Sequence, residues 1–335
     1  MTNRDSVEIH VREKVLRVPA AYIDGRTIIV TGRWLRFATL RDEELVEGEP
    51  IPNPPEFVPK LKASGVRADI LTFPERLNQP TPRFPYYFEW DNAAAVSTAS
   101  VPDWWKKIKP DARQNARKAS KRGVVVCVTP FDERLVSGIK SIYDETPIRQ
   151  GRRFWHYKKS LETIAAENGT YPERSTFIGA YYNDELIGFL KFTCADGIAR
   201  VMQILSKTSH YDKKPQNALI AKAVEVCNEM GISTFVYSRL TFGNKATSQL
   251  AEFKRRNGFE AITFPRYYVP LTLRGRIALT LRLHRGLIGI LPPSALALLL
   301  RLRAVLVHLS PAVLLSRGTR PSKEHAGAVR AGDAR

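Results

Sequence analysis

The order of apolar patterns after Gly123 constrains the fold of this chain more than any other feature of its sequence. Between Val124 and Leu273, short apolar runs alternate with helical patterns and predict the order β-α-α-β-β-β-α-β-α-β. We expect one helix over Trp155 to Glu167 and a strongly amphipathic helix over Gln216 to Met230. Such an alternation predicts an α/β fold in which helices flank a mixed sheet.

Two further parts precede this alternation. Residues 1–100 contain β-branched and aromatic runs, which predict a β-rich N-terminal lobe. Residues 101–122 predict a connecting helix that starts near Asp103 and is interrupted near Pro110. Between Trp105 and Arg122, only Asp111 opposes eight basic residues, which are Lys106, Lys107, Lys109, Arg113, Arg117, Lys118, Lys121 and Arg122.

We predict that the region of alternating strands and helices forms one domain over residues 123–273. A Leu- and Arg-rich segment follows over residues 274–318. There is no acidic residue from Ala261 to Lys323. Basic residues and prolines keep every uninterrupted apolar run below the ~18 residues that a membrane-spanning helix needs. This pattern predicts helices that either pack on the body of the protein or lie in a membrane interface. Residues 319–335 predict a disordered tail.

Charge and composition restrict the compartment and the partners. The chain carries 52 Lys and Arg against 33 Asp and Glu, a net charge of +19, which favours polyanions such as tRNA, anionic lipid or a phosphorylated acceptor. The apolar fraction of 44% excludes disorder of the whole chain. Three dispersed cysteines fit a reducing compartment, and the polar start of the sequence lacks a signal-peptide core. We therefore expect a cytoplasmic protein that can associate with the inner face of the membrane. The spacing of the six histidines predicts no metal site.

Three segments carry a resemblance to a known family. Residues 113–124 (RQNARKASKRGV), residues 216–220 (QNALI) and residues 253–255 (FKR) resemble motifs of the Fem-type aminoacyltransferases, in that order along the chain. These enzymes form a branch of the GNAT acyl-CoA N-acyltransferase superfamily. The resemblance to the GNAT fold covers residues 121–272 and implies a GNAT-like mixed sheet in which two central strands splay apart.

The resemblance also implies a donor site, in which an acyl-CoA or aminoacyl-tRNA occupies the gap between the splayed strands. The N–H groups of the following helix would face the anionic part of the donor. The Gly-rich loop of coenzyme A binders is absent here, and Lys213 and Lys214 occupy its place. These two lysines could also be an ordinary solvated pair. The expected donor-binding residues are Gln203, Leu205, Lys213, Lys214, Gln216, Asn217 and Ala218.

Three catalytic residues follow from the same resemblance. Lys254 stands where a lysine is expected beside the transferred group, and it could stabilise an oxyanion; its alternative is a surface lysine in a basic run. Asp91 could orient or deprotonate an amine, or simply cap a turn. Tyr237 is expected to face the gap between the strands.

The acceptor is expected to contact a separate set of residues. In GNAT-like folds, the connection between the first two helices covers the acceptor, and arginines there could bind phosphate or carboxylate. A solvated loop is the alternative for this connection. The expected acceptor-binding residues are Tyr143, Arg149, Arg152 and Arg239.

The predicted function is an N-acyltransferase that moves an acyl or aminoacyl group from a thioester or an aminoacyl-tRNA to an amine. A second hypothesis is a degenerate acyltransferase fold that binds nucleic acid or membrane without catalysis. The missing glycines and the positive charge favour this second hypothesis, whereas the polar residues expected in the gap favour catalysis. The sequence predicts neither the identity of the acceptor nor the oligomeric state.

Overall fold

The structure of this chain, a computed structural model, describes residues 6–11, 14–43, 51–77, 79–241 and 248–286. The first strands are β1 (Ser6–Val11), β2 (Lys14–Ile23), β3 (Arg26–Thr31), β4 (Phe37–Leu40), β5 (Ile70–Pro74), β6 (Tyr87–Ser97) and β7 (Val125–Thr129). The later strands are β8 (Ile148–Arg149), β9 (Arg152–Arg153), β10 (Ser175–Tyr182), β11 (Glu185–Ala195), β12 (Ile198–Ser206), β13 (Thr234–Val236) and β14 (Glu260–Pro270). The α-helices are α1 (Pro54–Ala63), α2 (Val101–Lys107), α3 (Pro110–Lys121), α4 (Glu133–Tyr143), α5 (Leu161–Asn168), α6 (Pro215–Glu229), α7 (Gln249–Arg256) and α8 (Leu273–Thr280).

One mixed sheet of 12 strands runs through the described residues, in the order β1-β2-β3-β4-β5-β14-β6-β13-β12-β11-β10-β7. The strands β8 and β9 form a separate two-stranded hairpin. The late strand β14 pairs antiparallel with both β5 and β6, so it lies between two strands that are neighbours in sequence. The sheet is therefore continuous across residue 100, and the division of the chain into a lobe and a catalytic domain stays a prediction.

Helices cover both faces of the C-terminal half of this sheet, which confirms the predicted α/β class. On one face, α2, α3 and α6 pack on the sheet through an apolar cluster that includes Trp104, Ala119 and Leu219. On the other face, α4 and α5 pack through Ile139, Ile164 and their neighbours.

The connecting helix is interrupted just before Pro110, as the sequence predicts. The hydroxyl of Ser100 accepts a hydrogen bond from the N–H of Asp103, so α2 is capped three residues before the expected start. The helix ends at Lys107, and α3 begins with Pro110 as its first residue. Gly123 follows α3 at φ +80°, a conformation that glycine adopts without a steric cost.

One expected helix is shorter than its pattern indicates. We expected a helix over Trp155 to Glu167, and α5 spans only Leu161–Asn168. The hydroxyl of Ser160 caps this helix by accepting from the N–H of Thr163, and Lys158 adopts a left-handed conformation at φ +61° that interrupts any earlier helix.

Of the Leu- and Arg-rich segment, the structure describes α8 and a 3-10 turn over Leu283–Arg285, and the expected disordered tail lies outside the described residues. Across the described ranges, no helix has both the length and the apolar character to cross a membrane.

Candidate functional site

The central strands β12 and β13 diverge after a short contact. They pair in parallel over only three residue pairs, from Ile198 with Thr234 to Arg200 with Val236. From there β12 continues along β11 to Ser206, whereas the chain after β13 follows β6. The N–H of Tyr237 donates to the carbonyl oxygen of Ala94 at 2.8 Å. The strands therefore splay apart, as the GNAT resemblance implies.

Lys254 lies at this divergence on the last turn of α7. Its side chain is only 1% exposed, so its interpretation as a surface lysine is wrong. The ammonium nitrogen Nζ donates to the carbonyl oxygen of Arg239 at 2.7 Å and lies 4.3 Å from the centre of the Tyr237 ring. Burial lowers the pKa of Lys254 to about 8, because an ammonium loses solvation there. The side chain can therefore exchange a proton near neutral pH.

Tyr237 lies beside the ammonium group of Lys254. Its ring packs at the edge of the α6 core, 6.0 Å from the ring of Phe259. Burial raises the pKa of the Tyr237 hydroxyl, because the phenolate would be poorly solvated. The hydroxyl therefore keeps its proton at physiological pH and can donate a hydrogen bond.

The side chain of Arg239 connects this centre to an ion-pair network. Its Nη2 lies 2.9 Å from Oδ2 of Asp91, which also accepts from Nε of Arg266 at 2.8 Å. Nη1 of Arg266 in turn lies 2.7 Å from Oε1 of Glu43. Burial alone would lower the pKa of Arg266, but the charges of Glu43 and Asp91 outweigh it and raise that pKa. Asp91 thus lies between two guanidinium groups, Arg239 and Arg266, and this arrangement suits orientation better than proton abstraction.

Asn92 is a positioning residue that the sequence did not reveal. Its Oδ1 accepts from the backbone N–H groups of Leu240 and Thr241 at 2.9 and 3.0 Å. Its Nδ2 donates to the carbonyl oxygen of Thr241 at 3.2 Å. The amide therefore fixes the chain directly after Arg239. The only sequence signal is a polar residue at the start of an otherwise apolar stretch of β6.

A cavity of about 730 Å³ opens at the N-terminus of α6. Three of the expected donor-binding residues line it, namely Lys214, Gln216 and Asn217. The first-turn N–H groups of an α-helix have no intrahelical acceptor, so those of α6 are available to an anion here. The other lining residues come from α3, from β12 and the turn before α6, and from α7 with its flanking residues: Asp111, Ala112, Asn115, Ser206, Tyr211, Pro215, Ser248, Gln249, Glu252, Phe253, Arg255, Arg256 and Asn257.

The other expected donor residues lie elsewhere. Nζ of Lys213 packs over the ring of Tyr182 at 4.6 Å and pairs with Asp212 at 3.5 Å. Ala218 is buried in the core beneath α6. Neither residue lines the cavity.

Gln203 and Leu205 turn their side chains to the opposite face of the sheet. Oε1 of Gln203 accepts from the hydroxyl of Tyr143 at 2.9 Å, and its Nε2 lies 3.1 Å from Nε2 of His156. Leu205 packs against the α4 core. Neither side chain lines the α6 cavity, to which β12 contributes Ser206 instead, because alternate residues of a strand face opposite sides. Their role as donor-binding residues stays a prediction.

Burial fixes the protonation of the two rings beside Gln203. It raises the pKa of Tyr143 to about 12 and lowers the pKa of His156 to about 3. Both side chains are therefore neutral at physiological pH, and the predicted acceptor residue Tyr143 is part of this buried cluster.

A second cavity, of about 700 Å³, lies on the sheet face away from α6. Arg239 and Asp91 both line it, and its other charged lining residues are Glu43, Glu75, Arg76, Asp196, Arg200 and Arg266. The cavity is therefore lined by charges of both signs. Lys254 does not line it, but Lys254 contacts the backbone carbonyl of the lining residue Arg239.

Three of the four expected acceptor residues lie outside this second cavity, namely Tyr143, Arg149 and Arg152. The guanidinium of Arg149 donates from Nη1 to the carbonyl oxygen of Ser206 and from Nη2 to that of Ile142, both at 2.9 Å, and it pairs with Glu145. Arg152 is exposed on the hairpin of β8 and β9. Arg149 therefore ties the end of β12 to α4, and of the four expected acceptor residues only Arg239 lines the cavity.

The basic face of α2 and α3 adjoins the α6 cavity, to which α3 contributes Ala112 and Asn115. Lys106, Lys107 and Arg122 pair with acidic residues. Within the described ranges, no acidic side chain lies within ion-pair distance of the basic residues Lys109, Lys118 and Lys121.

The described residues contain no group of three or more His, Cys, Asp or Glu side chains arranged to hold a metal ion.

Comparison with known proteins gives matches of structure alone. No protein-family model matches the sequence, and no curated protein matches it. The structure of FemX superposes with a TM-score of 0.53 at 10% identity, over 82% of this chain and 89% of FemX. This similarity shows a fold like that of FemX and confirms the predicted GNAT-like fold class.

Two further structures support the same fold. The C-terminal domain of a protein assigned as a lysylphosphatidylglycerol synthetase from Agrobacterium fabrum matches at a TM-score of 0.52 and 12% identity, over 78% of this chain and 87% of that domain. L-PGS from Bacillus licheniformis matches at a TM-score of 0.51 and 13% identity, over 81% of this chain and 89% of that structure. Similarity at this level of identity establishes the architecture, and the chemistry must be argued from the site itself.

Proposed function

We propose that this chain is an N-acyltransferase that transfers an acyl or aminoacyl group from a thioester or an aminoacyl-tRNA to an amine. The observation that carries the proposal is the position of Arg239. Its backbone carbonyl accepts from Lys254, and its side chain pairs with Asp91, which lines the second cavity. A cationic group in the gap between the strands and a polar cavity beyond it are what an acyl-transfer centre needs.

The donor would enter through the α6 cavity. Its anionic part would meet the N-terminus of α6 and Lys214, and its carbonyl group would extend toward Lys254 between β12 and β13. The acceptor would occupy the second cavity, where Arg239 and Asp91 orient it.

The chemical step then needs one bond formed and one broken. The neutral acceptor nitrogen attacks the donor carbonyl carbon and forms a C–N bond, and the C–S or C–O bond to the leaving group breaks. The ammonium of Lys254 stabilises the oxyanion of the tetrahedral intermediate. With its pKa lowered to about 8, it can also give a proton to the leaving thiolate or ribose oxygen. The attacking nitrogen loses one proton, which returns the neutral Lys254 amine to its ammonium form, so the protons balance.

Among the donors, the basic surface favours aminoacyl-tRNA. Lys118 and Lys121 lie on α3, which borders the α6 cavity, and Lys109 directly precedes that helix. None of the three is neutralised by an acidic neighbour within the described residues. A polynucleotide that reaches beyond the cavity would use these charges, whereas a short thioester donor would not. The absence of a Gly-rich loop before α6 points the same way.

The test uses hydroxylamine as a small surrogate amine, because its acylation gives a hydroxamate that mass spectrometry identifies. The purified full chain is incubated with radiolabelled aminoacyl-tRNAs in one arm and with acyl-CoA thioesters in the other. We expect hydroxamate formation, and we expect Lys254→Met to lower kcat by ~10²–10³ while the KM for the donor changes little.

The matched control is Lys222→Met on α6, where the lysine is half-buried and pairs with Glu225. It should retain wild-type turnover. Equal activities for the two variants would overturn the role of Lys254. RNA that co-purifies with the chain, without hydroxamate from either donor, would instead favour the non-catalytic binding module.

A further inference from the structure

The helix α8 packs on the protein in an unusual orientation. Its buried residues are the small ones, Gly275 and Ala278, and a Cβ at Gly275 would lie 2.0 Å from the carbonyl oxygen of Asp69. Its large apolar residues point outward, with Leu273 72% exposed and Ile277 50% exposed. Leu281, one turn further on, is 61% exposed. The spacing i, i+4, i+8 places these three side chains in one stripe.

A second segment, distant in sequence, extends this stripe. The β3–β4 turn exposes Trp34 by 69%, and its carbonyl oxygen accepts from the side chain of Arg274 at 3.4 Å. Beneath the turn, Leu35 packs against Ala278 and Ile70 in one buried cluster. Trp34 is thus held next to α8 by the fold itself.

The charges on this surface have one sign. The exposed charged residues of α8 and the turn that follows it are all arginines: Arg274, Arg276, Arg282 and Arg285. Arg33 is exposed next to Trp34, and only Arg285 has an acidic partner, Glu89, in the described part of the chain. A surface of leucine, isoleucine and tryptophan within arginines matches an anionic lipid interface, where apolar side chains insert and guanidinium groups meet phosphate.

We propose that the surface formed by Leu273, Ile277, Leu281 and Trp34 binds peripherally to anionic phospholipid membranes. This inference goes beyond the proposed function, because the surface shares no residue with either cavity. At eight residues, α8 is too short to span a bilayer, so it would lie in the plane of the interface. Membrane attachment would place the enzyme where anionic substrates are concentrated.

The test is flotation of the full chain with vesicles of phosphatidylcholine and phosphatidylglycerol in equal amounts, compared with vesicles of phosphatidylcholine alone. We expect flotation with the anionic vesicles only. Replacement of the stripe (Leu273→Ser, Ile277→Ser, Leu281→Ser) should lower the partition coefficient at least ~10-fold, because each side chain loses apolar burial in the membrane. The single variant Trp34→Ser should lower it in the same direction.

The control variant replaces three exposed apolar residues from other surfaces, Tyr22→Ser, Leu161→Ser and Met230→Ser. It should float like the wild type. The proposal is overturned if the wild type does not float. It is also overturned if the stripe variant floats as well as the wild type, because lipid binding would then be assigned to residues 287–335. A third outcome overturns it as well: the substitutions change only the oligomeric state, which light scattering measures. A second copy of the chain, and not a membrane, would then cover the stripe. Hydroxamate formation by the stripe variant in free solution should be unchanged, which separates this test from that of the proposed function.

Discussion

The side chain of Lys254 reaches 2.7 Å from the carbonyl oxygen of Arg239, across the point where β12 and β13 separate. This hydrogen bond anchors a buried cation to the backbone of the diverging strand. A carbonyl oxygen carries only a partial negative charge, so the loss of solvation dominates and lowers the pKa of Lys254 to about 8. The position therefore combines a positive charge with a usable proton.

The first prediction concerns pH. If the protonated form of Lys254 is active, kcat/KM should fall about tenfold per pH unit above pH 8, because the ammonium loses its proton there. Lys254→Arg keeps its charge at every accessible pH, so its profile should lack this decline. The ratio of wild-type to variant rates, measured on one acceptor, removes the titration of the acceptor itself. A constant ratio between pH 7 and 9.5 would contradict the assignment.

The second prediction concerns the network around Asp91. Arg266→Met removes the guanidinium that Asp91 and Glu43 share and leaves their charges partly uncompensated. Its free energy of unfolding should fall by ~3–5 kcal/mol in urea titrations. Adding Glu43→Gln should restore part of the loss. The exposed Arg67→Met serves as the control, with an expected change within about 0.5 kcal/mol. A change that small for Arg266→Met as well would mean that the network adds nothing to stability.

The third prediction concerns Asn92. Asn92→Ala leaves the N–H groups of Leu240 and Thr241 without their acceptor, which should cost ~1–3 kcal/mol of stability. Because these groups follow Arg239, kcat should fall as well while the KM for the donor stays near its wild-type value. Asn228→Ala is a suitable comparison, since its amide also donates to backbone oxygens but at the far end of α6. A fall in kcat of equal size in both variants would indicate general destabilisation.

The fourth prediction concerns the basic face of α3. Lys118→Glu with Lys121→Glu should weaken tRNA binding, and the slope of log K against log salt should become less steep by about 0.7–0.9 for each phosphate that the variant no longer binds. Fluorescence anisotropy with labelled tRNA measures both quantities. Lys60→Glu with Lys62→Glu changes the charge equally on the distant helix α1 and should leave binding unchanged. If both double variants give similar slopes, α3 is not part of the surface that binds RNA.

The sequence predicted well those strands and helices that are defined by a short local pattern of apolar residues. The predicted strand Ile198 to Ser206 has the bounds that the structure gives it, because a short apolar run between turn residues is a strong signal. The family motif singled out Lys254, whereas its neighbours form a basic run that is typical of a surface, and its burial became evident only in the structure.

Features that depend on distant contacts did not follow from the sequence. The face to which Gln203 turns depends on the register of β12 against β11, where a bulge between Lys191 and Phe192 shifts the alternation. Arg149 looked like a substrate ligand, but its side chain binds carbonyl groups that only the tertiary fold brings near. Asn92 gave no signal for the same reason.

The insertion of β14 between β5 and β6 sets an order of events during synthesis. The strands β5 and β6 leave the ribosome early and are close in sequence, yet each lacks one of its two final neighbours until residues 260–270 emerge. Until then, the nascent chain exposes two unsatisfied strand edges, one from each half of the eventual sheet. Completion of the sheet is thus a late, long-range step, of the kind that slows folding and invites mispairing. A ribosome stalled before Glu260 would hold a chain with two separate half-sheets. The exposed strand edges of these half-sheets are what we expect a chaperone to bind.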